Sequence, residues 1–169
     1  SIRRSFSQSK QDFITQYLDF RSYLLFERRY SLAFRVNAGI SLGDYPDRFN
    51  LAGYYGVRAL DTNISGEKKV LSSVELRVPF LETLSLAFPV PITLSHIRGS
   101  VFVDAGAVWD EEKLFRGMRD DKLEDIKFGY GFGPRMNLGY FVLKMDAAWL
   151  TDLSKISKPQ VFISLSEDF

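Results

Sequence analysis

A chain of 169 residues with no cysteine, a single histidine and a net charge of +1 excludes several chemistries before any segment is read. It is long enough for one domain with a real core, but it offers no disulfide, no thiolate metal site and no bulk charge that would draw nucleic acid. With only His96, neither a histidine metal site nor a Ser–His–Asp apparatus is expected, and His96 reads as a surface-loop residue.

Ser1–Lys10 is polar and basic, and fits either a linker or a short N-terminal strand. The chain opens on Ser1 without a signal-peptide pattern, so it is read as a mature or truncated piece. From Phe13 to Phe26 side chains alternate, because successive residues of a strand point to opposite faces. Ile14, Leu18, Phe20, Leu24 and Phe26 share one face, while Asp19 and Arg21 share the other. Glu27–Arg29 is a short charged turn. Tyr30–Leu42 alternates most clearly, with Leu32, Phe34, Val36, Ala38, Ile40 and Leu42 against Ser31, Arg35, Asn37 and Gly39. A helix would repeat at three and four instead, so these two strands form a hairpin.

Gly43–Lys68 is too long for an idle hairpin loop. Its Phe49, Leu51, Val57 and Leu60 are not the composition of a disordered linker, so the segment is expected to fold back and pack. Lys69–Phe80 is the third strand, with Glu75 and Arg77 opposite an apolar row. Leu81–His96 reads as an apolar connection broken by Pro89 and Pro91, which cannot be a continuous helix. No stretch of roughly 18 apolar residues is present, so no transmembrane helix is expected.

The next strand runs from about Ile97 to Trp109 and contains SVFVDAGAVWD. Val101, Val103, Ala105, Ala107 and Trp109 fall on one face; Phe102, Asp104 and Gly106 fall on the other. Asp110–Asp125 reads as a charged, solvated loop. Ile126–Asn137 and Tyr140–Leu150 follow as strands, joined by a tight turn at Leu138–Gly139. After the polar loop Thr151–Lys158, Pro159–Phe169 is the last strand, with Val161, Ile163, Leu165 and Phe169 on one face.

From Phe13 to Leu150 every strand keeps one face free of charge. A soluble sandwich would bury that face, whereas a membrane barrel would turn it to lipid and enclose the charges. Three features favour an antiparallel transmembrane β-barrel. The strands are about 10–13 residues long, suited to a tilted span of the bilayer rather than the usual five or six. Phe26, Phe80, Trp109, Trp149 and Phe169 sit near strand ends, like an interfacial girdle. Short turns also alternate with long polar loops.

Gly129, Gly131 and Gly133 fall on the charge-bearing face of one strand, and Gly106 on the same face of the strand before it. Glycines within strands often mark the close approach of another backbone. The segment 43–68, with Gly53 and Gly56, is the candidate to approach, and Arg58 is its central cation. Folded inward, Arg58 would bond Asp104, with Glu75 as a second carboxylate, through charge-assisted hydrogen bonds. The alternative leaves Arg58 solvated at a loop tip, with the glycines only adding twist. Spacing does not choose between the two.

These residues carry a resemblance. FNLAGYYGVRAL resembles the sixth-loop signature of the bacterial surface-antigen family, the outer-membrane assembly-factor barrel superfamily. That superfamily includes the β-barrel assembly insertase, two-partner-secretion transporters and the chloroplast import channel. Its hallmark is Val-Arg-Gly followed by an aromatic. Val57 and Arg58 match, while Ala59 and Leu60 take the places of the glycine and the aromatic. VELRVPF is similar to the strand after that loop. VFVDAGAVWD is similar to the family's Phe-x-Asp-x-Gly strand through Phe102, Asp104 and Gly106, and GYGFGPRMNLGYF to the glycine-rich strand that follows. Phe169 matches the usual outer-membrane ending, with Ile163 and Leu165 in the same strand, although Glu167 stands where an apolar residue is usual.

The resemblance implies the C-terminal half of a 16-stranded barrel over residues 11–169, and contact between the loop arginine and the strand aspartate. Seven strands are clear, with an eighth candidate near Ile2–Ser9. Eight strands can close a compact barrel and sixteen need about twice this chain, so the missing strands are supplied by the same protein, by a second copy, or are not needed. The expected function is an outer-membrane module that inserts or translocates polypeptides. Its partners are outer-membrane lipid, unfolded or secreted polypeptide clients, upstream periplasmic adaptor domains and, in a homodimer, a second copy. The alternatives are an anchor barrel for an upstream passenger and a soluble β-domain. No enzymatic activity, cofactor, metal or nucleic-acid partner is expected.

Overall fold

The structure is a computed structural model that describes residues 2–6, 12–27, 29–53, 55–87, 89, 91–138 and 140–167. Phe169, Gly139 of the expected turn and the side chain of His96 lie outside the described residues. In chain order the strands are β1 (Ile2–Phe6), β2 (Asp12–Phe26), β3 (Tyr30–Gly43), β4 (Phe49–Asn50), β5 (Ser65–Gly66), β6 (Lys68–Leu86), β7 (Ile92–Trp109), β8 (Met118–Arg119), β9 (Lys122–Leu123), β10 (Lys127–Asn137), β11 (Phe141–Thr151) and β12 (Gln160–Glu167). Eight of them form one sheet in the order β1-β2-β3-β6-β7-β10-β11-β12. Every neighbouring pair is antiparallel, so the sheet is a meander interrupted only by the small hairpins β4–β5 and β8–β9. β1 and β12 are the two ends of this order.

Two expectations are corrected. Leu81–His96 is not an irregular connection. β6 continues to Leu86 and β7 begins at Ile92, paired from Leu81↔Ile97 to Leu86↔Ile92, so His96 lies within a strand. The prolines that exclude a helix do not exclude this ribbon. Pro89 and Pro91 fall in the segment joining the two strands, and Pro79 falls at a register shift, the places where a missing N–H costs no ladder bond. Asp110–Asp125 also contains a hairpin, β8–β9. Asp120 and Asp121 form its tip, both at positive φ, as a tight two-residue turn of matching twist requires.

The faces of the sheet are inverted relative to a soluble sandwich. On β7, Val101 is 57% exposed while its neighbour Phe102 is 1% exposed. Leu18, Phe20, Leu24, Phe132, Val161, Ile163 and Leu165 are exposed on the outer face. Asp104, Glu75, Arg135 and Asp146 are buried on the inner one. Covering a large aliphatic or aromatic side chain is worth roughly 1.5–3 kcal/mol, so such a surface suits acyl chains and not water.

The core lies between the inner face and segment 43–68. Leu51, Val57 and Leu60 of that segment pack with Leu71 of β6 and Val108 of β7. Ala59 packs with Phe102 of β7 and Ala148 of β11. The segment is ordered by its own bonds: the β4–β5 pairing, Val57 N–H to the Leu51 carbonyl at 2.8 Å, and Gly56 N–H to the Gly53 carbonyl at 2.9 Å.

Candidate functional site

The seat of this segment is made of absent side chains. A Cβ on Gly106 would lie 2.7 Å from Leu51 Cδ1, and one on Gly129 would lie 3.1 Å from Val57 and 3.3 Å from Ala59 Cβ. Gly131 has a different tenant. Its Cβ would meet Phe102 Cζ at 2.5 Å, so the Phe102 ring lies across β10 only because residue 131 is glycine. Gly133 faces the Asp146 carboxylate in the same way, at 2.7 Å. Within the segment, Gly53 has φ +88° and makes a turn, and Gly56 sits against the Leu51 carbonyl where no Cβ fits.

Arg58 is carried into the space above this floor. Its guanidinium carbon is 3.4 Å from the Phe102 ring centroid, a cation–π stack. Its Nε donates to Asp104 Oδ2 at 2.8 Å and its Nη2 to Asp104 Oδ1 at 2.9 Å, a two-pronged pairing that fixes orientation as well as charge. Its backbone N–H donates to the same carboxylate at 3.2 Å. Nη1 donates to Glu75 Oε2 at 2.6 Å. The register explains the convergence. Asp104 lies opposite Ser73, and Phe102 opposite Glu75, so the two carboxylates sit diagonally on adjacent strands with the ring between them. Ser73 Oγ completes Asp104 with a 2.7 Å bond.

A second arginine extends the cluster. Arg135 of β10 donates to Asp146 of β11 through Nη1 at 2.6 Å and Nη2 at 3.1 Å, and reaches Glu75 at 3.4 Å. Arg77 donates to Glu75 Oε1 at 2.9 Å. Sequence reasoning placed Arg77 opposite an apolar row but did not join it to Arg58; it did not bring Arg135 and Asp146 into the site, and it did not see Phe102 as a platform. Pairing them requires the register across β6, β7, β10 and β11, which no local pattern encodes. Ile163 and Leu165 stand apart from the cluster, exposed on the outer face of β12.

The buried side chains thus form a clamp of fixed charges, with Arg58 held from three directions. Arginine suits this task because its planar fork bonds a carboxylate while its face stacks on an aromatic ring. Taking one partner from such a buried pair typically costs about 3–5 kcal/mol, since the other charge is left uncompensated. Loop 43–68 is therefore tied to the wall by this ionic hub, by its packed apolar residues, and by polar bonds nearer its ends, Thr15 Oγ1 to Asp47 at 2.9 Å and Lys69 Nζ to the Asn50 carbonyl at 2.7 Å.

Neither a curated protein nor a solved structure matches the chain. The family model that matches is the Omp85 superfamily domain, over residues 4–165. This is a family of β-barrels of the bacterial outer membrane associated with protein insertion and translocation. With the match spanning nearly the whole chain and the sheet inverted as a membrane barrel demands, the chain belongs to the Omp85 superfamily.

Proposed function

We propose that this chain is the outer-membrane β-barrel module of a factor that inserts or translocates polypeptides, resident in the bacterial outer membrane. The observation that carries the reading is the long loop held inside by Arg58 between Asp104 and Glu75. In this reading the hub is the latch of a gate: the loop stays inside while the hub holds, and clears the interior when the hub and the apolar contacts around it open together. The work is non-covalent. Unfolded or secreted polypeptides are the clients, and lipid covers the outer face. Among the described residues β12 is paired only with β11, and its other edge is where an incoming strand would add in this reading. Upstream periplasmic adaptor domains, or a second copy in a homodimer, are the further partners of this reading.

The test uses the absence of native cysteine. Ala59 Cβ lies 3.3 Å from where a Cβ on Gly129 would be, close to the spacing a disulfide bridges. The double variant Ala59→Cys/Gly129→Cys is reconstituted in vesicles, and the folding of a urea-denatured outer-membrane barrel into them is followed. Oxidation is expected to abolish the acceleration seen with the unmodified chain, and reduction to restore it. No acceleration by the unmodified chain rejects the reading.

A second reading, an anchor barrel for an upstream passenger, is favoured by one observation. Ala59 and Leu60, which replace the family's glycine and aromatic, are buried and add apolar contacts to the ionic hub. Such a loop is built to stay. If the chain is an anchor, the oxidised and reduced double variants hold a fused passenger at the membrane equally well and neither assists folding.

A further inference from the structure

The register sets like charges directly opposite one another in two rows on the inner face. Arg21 of β2 faces Arg35 of β3. Arg98, Arg135 and Lys144 stand in one row across β7, β10 and β11. Opposed like charges weaken a sheet unless a counter-charge lies between them. Asp19 supplies it for the first pair, bonding Arg21 at 2.9 Å and Arg35 at 3.0 Å. In the second row Arg135 takes Asp146 and shares Glu75 with Arg58 and Arg77.

Between these rows is a hollow of about 140 Å³, lined among others by Arg21, Arg35, Arg58, Arg77 and Lys144, with Glu75 the one carboxylate among the described residues of its wall. A hollow of that size has room for several water molecules or a small hydrated anion. Tyr55 of the loop lies at its margin, its carbonyl accepting from Arg35 at 3.5 Å. Among the described residues its lining carries five cations (Arg21, Arg35, Arg58, Arg77, Lys144) and one carboxylate, Glu75, and Asp19 and Asp104 pair with three of those cations, which leaves an excess of two positive charges. In a partly enclosed site that excess is screened less than in bulk water and draws anions.

We propose that this hollow binds a small doubly charged oxyanion of the phosphate type, gripped by Arg77 and Lys144 on one side and by Arg21 and Arg35 on the other. The charge matches the excess. Guanidinium forks match the geometry of such an oxyanion, and a lysine adds a point charge. The site lies beside the clamp and takes no donor from the Arg58–Asp104 pair. It stands independently of any polypeptide transport.

Inorganic phosphate is titrated against the detergent-solubilised full chain at ionic strength held constant with chloride, while the thermal unfolding midpoint is read. Heat-modifiable migration in gels checks that every variant is folded. The midpoint is expected to rise saturably with phosphate. The apparent Kd is expected to weaken at least tenfold in Lys144→Gln and in Arg77→Gln, and to hold in the charge-preserving Lys144→Arg and in Lys122→Gln of the exposed hairpin. A phosphate response no larger than that of chloride overturns the proposal, as does one that survives intact in both Lys144→Gln and Arg77→Gln. A response to phosphatidylglycerol in mixed micelles with none to inorganic phosphate also overturns it, because it marks a site for a lipid headgroup.

Discussion

Two long connections leave the same end of the sheet and meet opposite fates. Residues 44–67, between β3 and β6, go inward; residues 110–126, between β7 and β10, stay outside. They touch, through Arg48 and Asp110 at 2.9 Å and through the Glu111 N–H to Glu67 at 3.0 Å. Both carry large apolar residues, yet Leu51 is 0% exposed and Leu114 is 76% exposed. Apolar content is therefore not what sends a loop inside. The receiving floor is. Gly106 and Gly129 leave room for Leu51 and Val57, and Asp104 holds Arg58 of the first loop. The outer loop has no such hub; its Lys113–Asp125 pair, at 3.2 Å, lies near solvent.

The largest expected effect tests the hub itself. Arg58→Ala leaves Asp104 buried without its main partner, and is expected to lower stability by about 3–5 kcal/mol and to open the loop to protease. Lys113→Ala, the matching change outside, is expected to cost under about 1 kcal/mol, as exposed pairs do. Urea unfolding in detergent with limited proteolysis checks both. Equal effects from the two variants would erase the distinction between the loops.

The floor comes next. In Gly131→Ala the new methyl meets Phe102 Cζ at 2.5 Å and the Ala147 carbonyl at 2.4 Å. Such overpacking costs about 1–3 kcal/mol and tilts the platform under Arg58. Gly117→Ala in the outer loop finds its nearest atom at 3.4 Å and is expected to be close to neutral. Comparison of the two melting midpoints decides whether glycine matters as a seat or merely as a source of twist.

The two carboxylates of the hub are not equal. Asp104→Ala removes both prongs from Arg58, orphans its backbone N–H and frees Ser73. Glu75→Ala leaves each arginine with something: Arg58 keeps Asp104, Arg135 keeps Asp146, and Arg77 is partly solvated. Asp104→Ala is therefore expected to be the more damaging in the same urea assay. The reverse order would make Glu75 the true centre of the clamp.

How much of this was legible follows from the range of each interaction. Period-two alternation is local, so Tyr30–Leu42 announced its faces, and the charge-free face pointed to lipid. Arg58, Asp104 and Glu75 could be named because Arg58 is the central cation of its loop and Glu75 and Asp104 are each the one carboxylate of their strands as read from the pattern, but that pattern allows two placements of Arg58 that only the backbone separates. The Arg135–Asp146 pair and the Phe102 platform depend on register over four strands and on a rotamer that Gly131 permits. The β6–β7 ribbon was misread because prolines were weighed against a helix and not against the end of a hairpin. The β8–β9 turn was missed because Asp120-Asp121 is a less telling turn pair than one containing glycine.

The smallest effect concerns the outer loop alone. The Asp125 carboxyl accepts from the Arg116 backbone N–H at 2.8 Å and from Lys113 Nζ at 3.2 Å, and these bonds, the backbone one foremost, hold its pKa below the usual 3.8. A carboxyl with a depressed folded value contributes stability that is complete above the unfolded value and disappears as pH falls through the folded one. Acid below about pH 4 is thus expected to loosen residues 110–126. Trp109, whose ring lies 4.9 Å from that of Phe115, reports it by fluorescence. Asp125→Asn is expected to show the loosened signal already at neutral pH and to flatten the acid limb. An acid limb that persists unchanged in Asp125→Asn would assign the transition to other carboxylates and leave the outer loop without an anchor of its own.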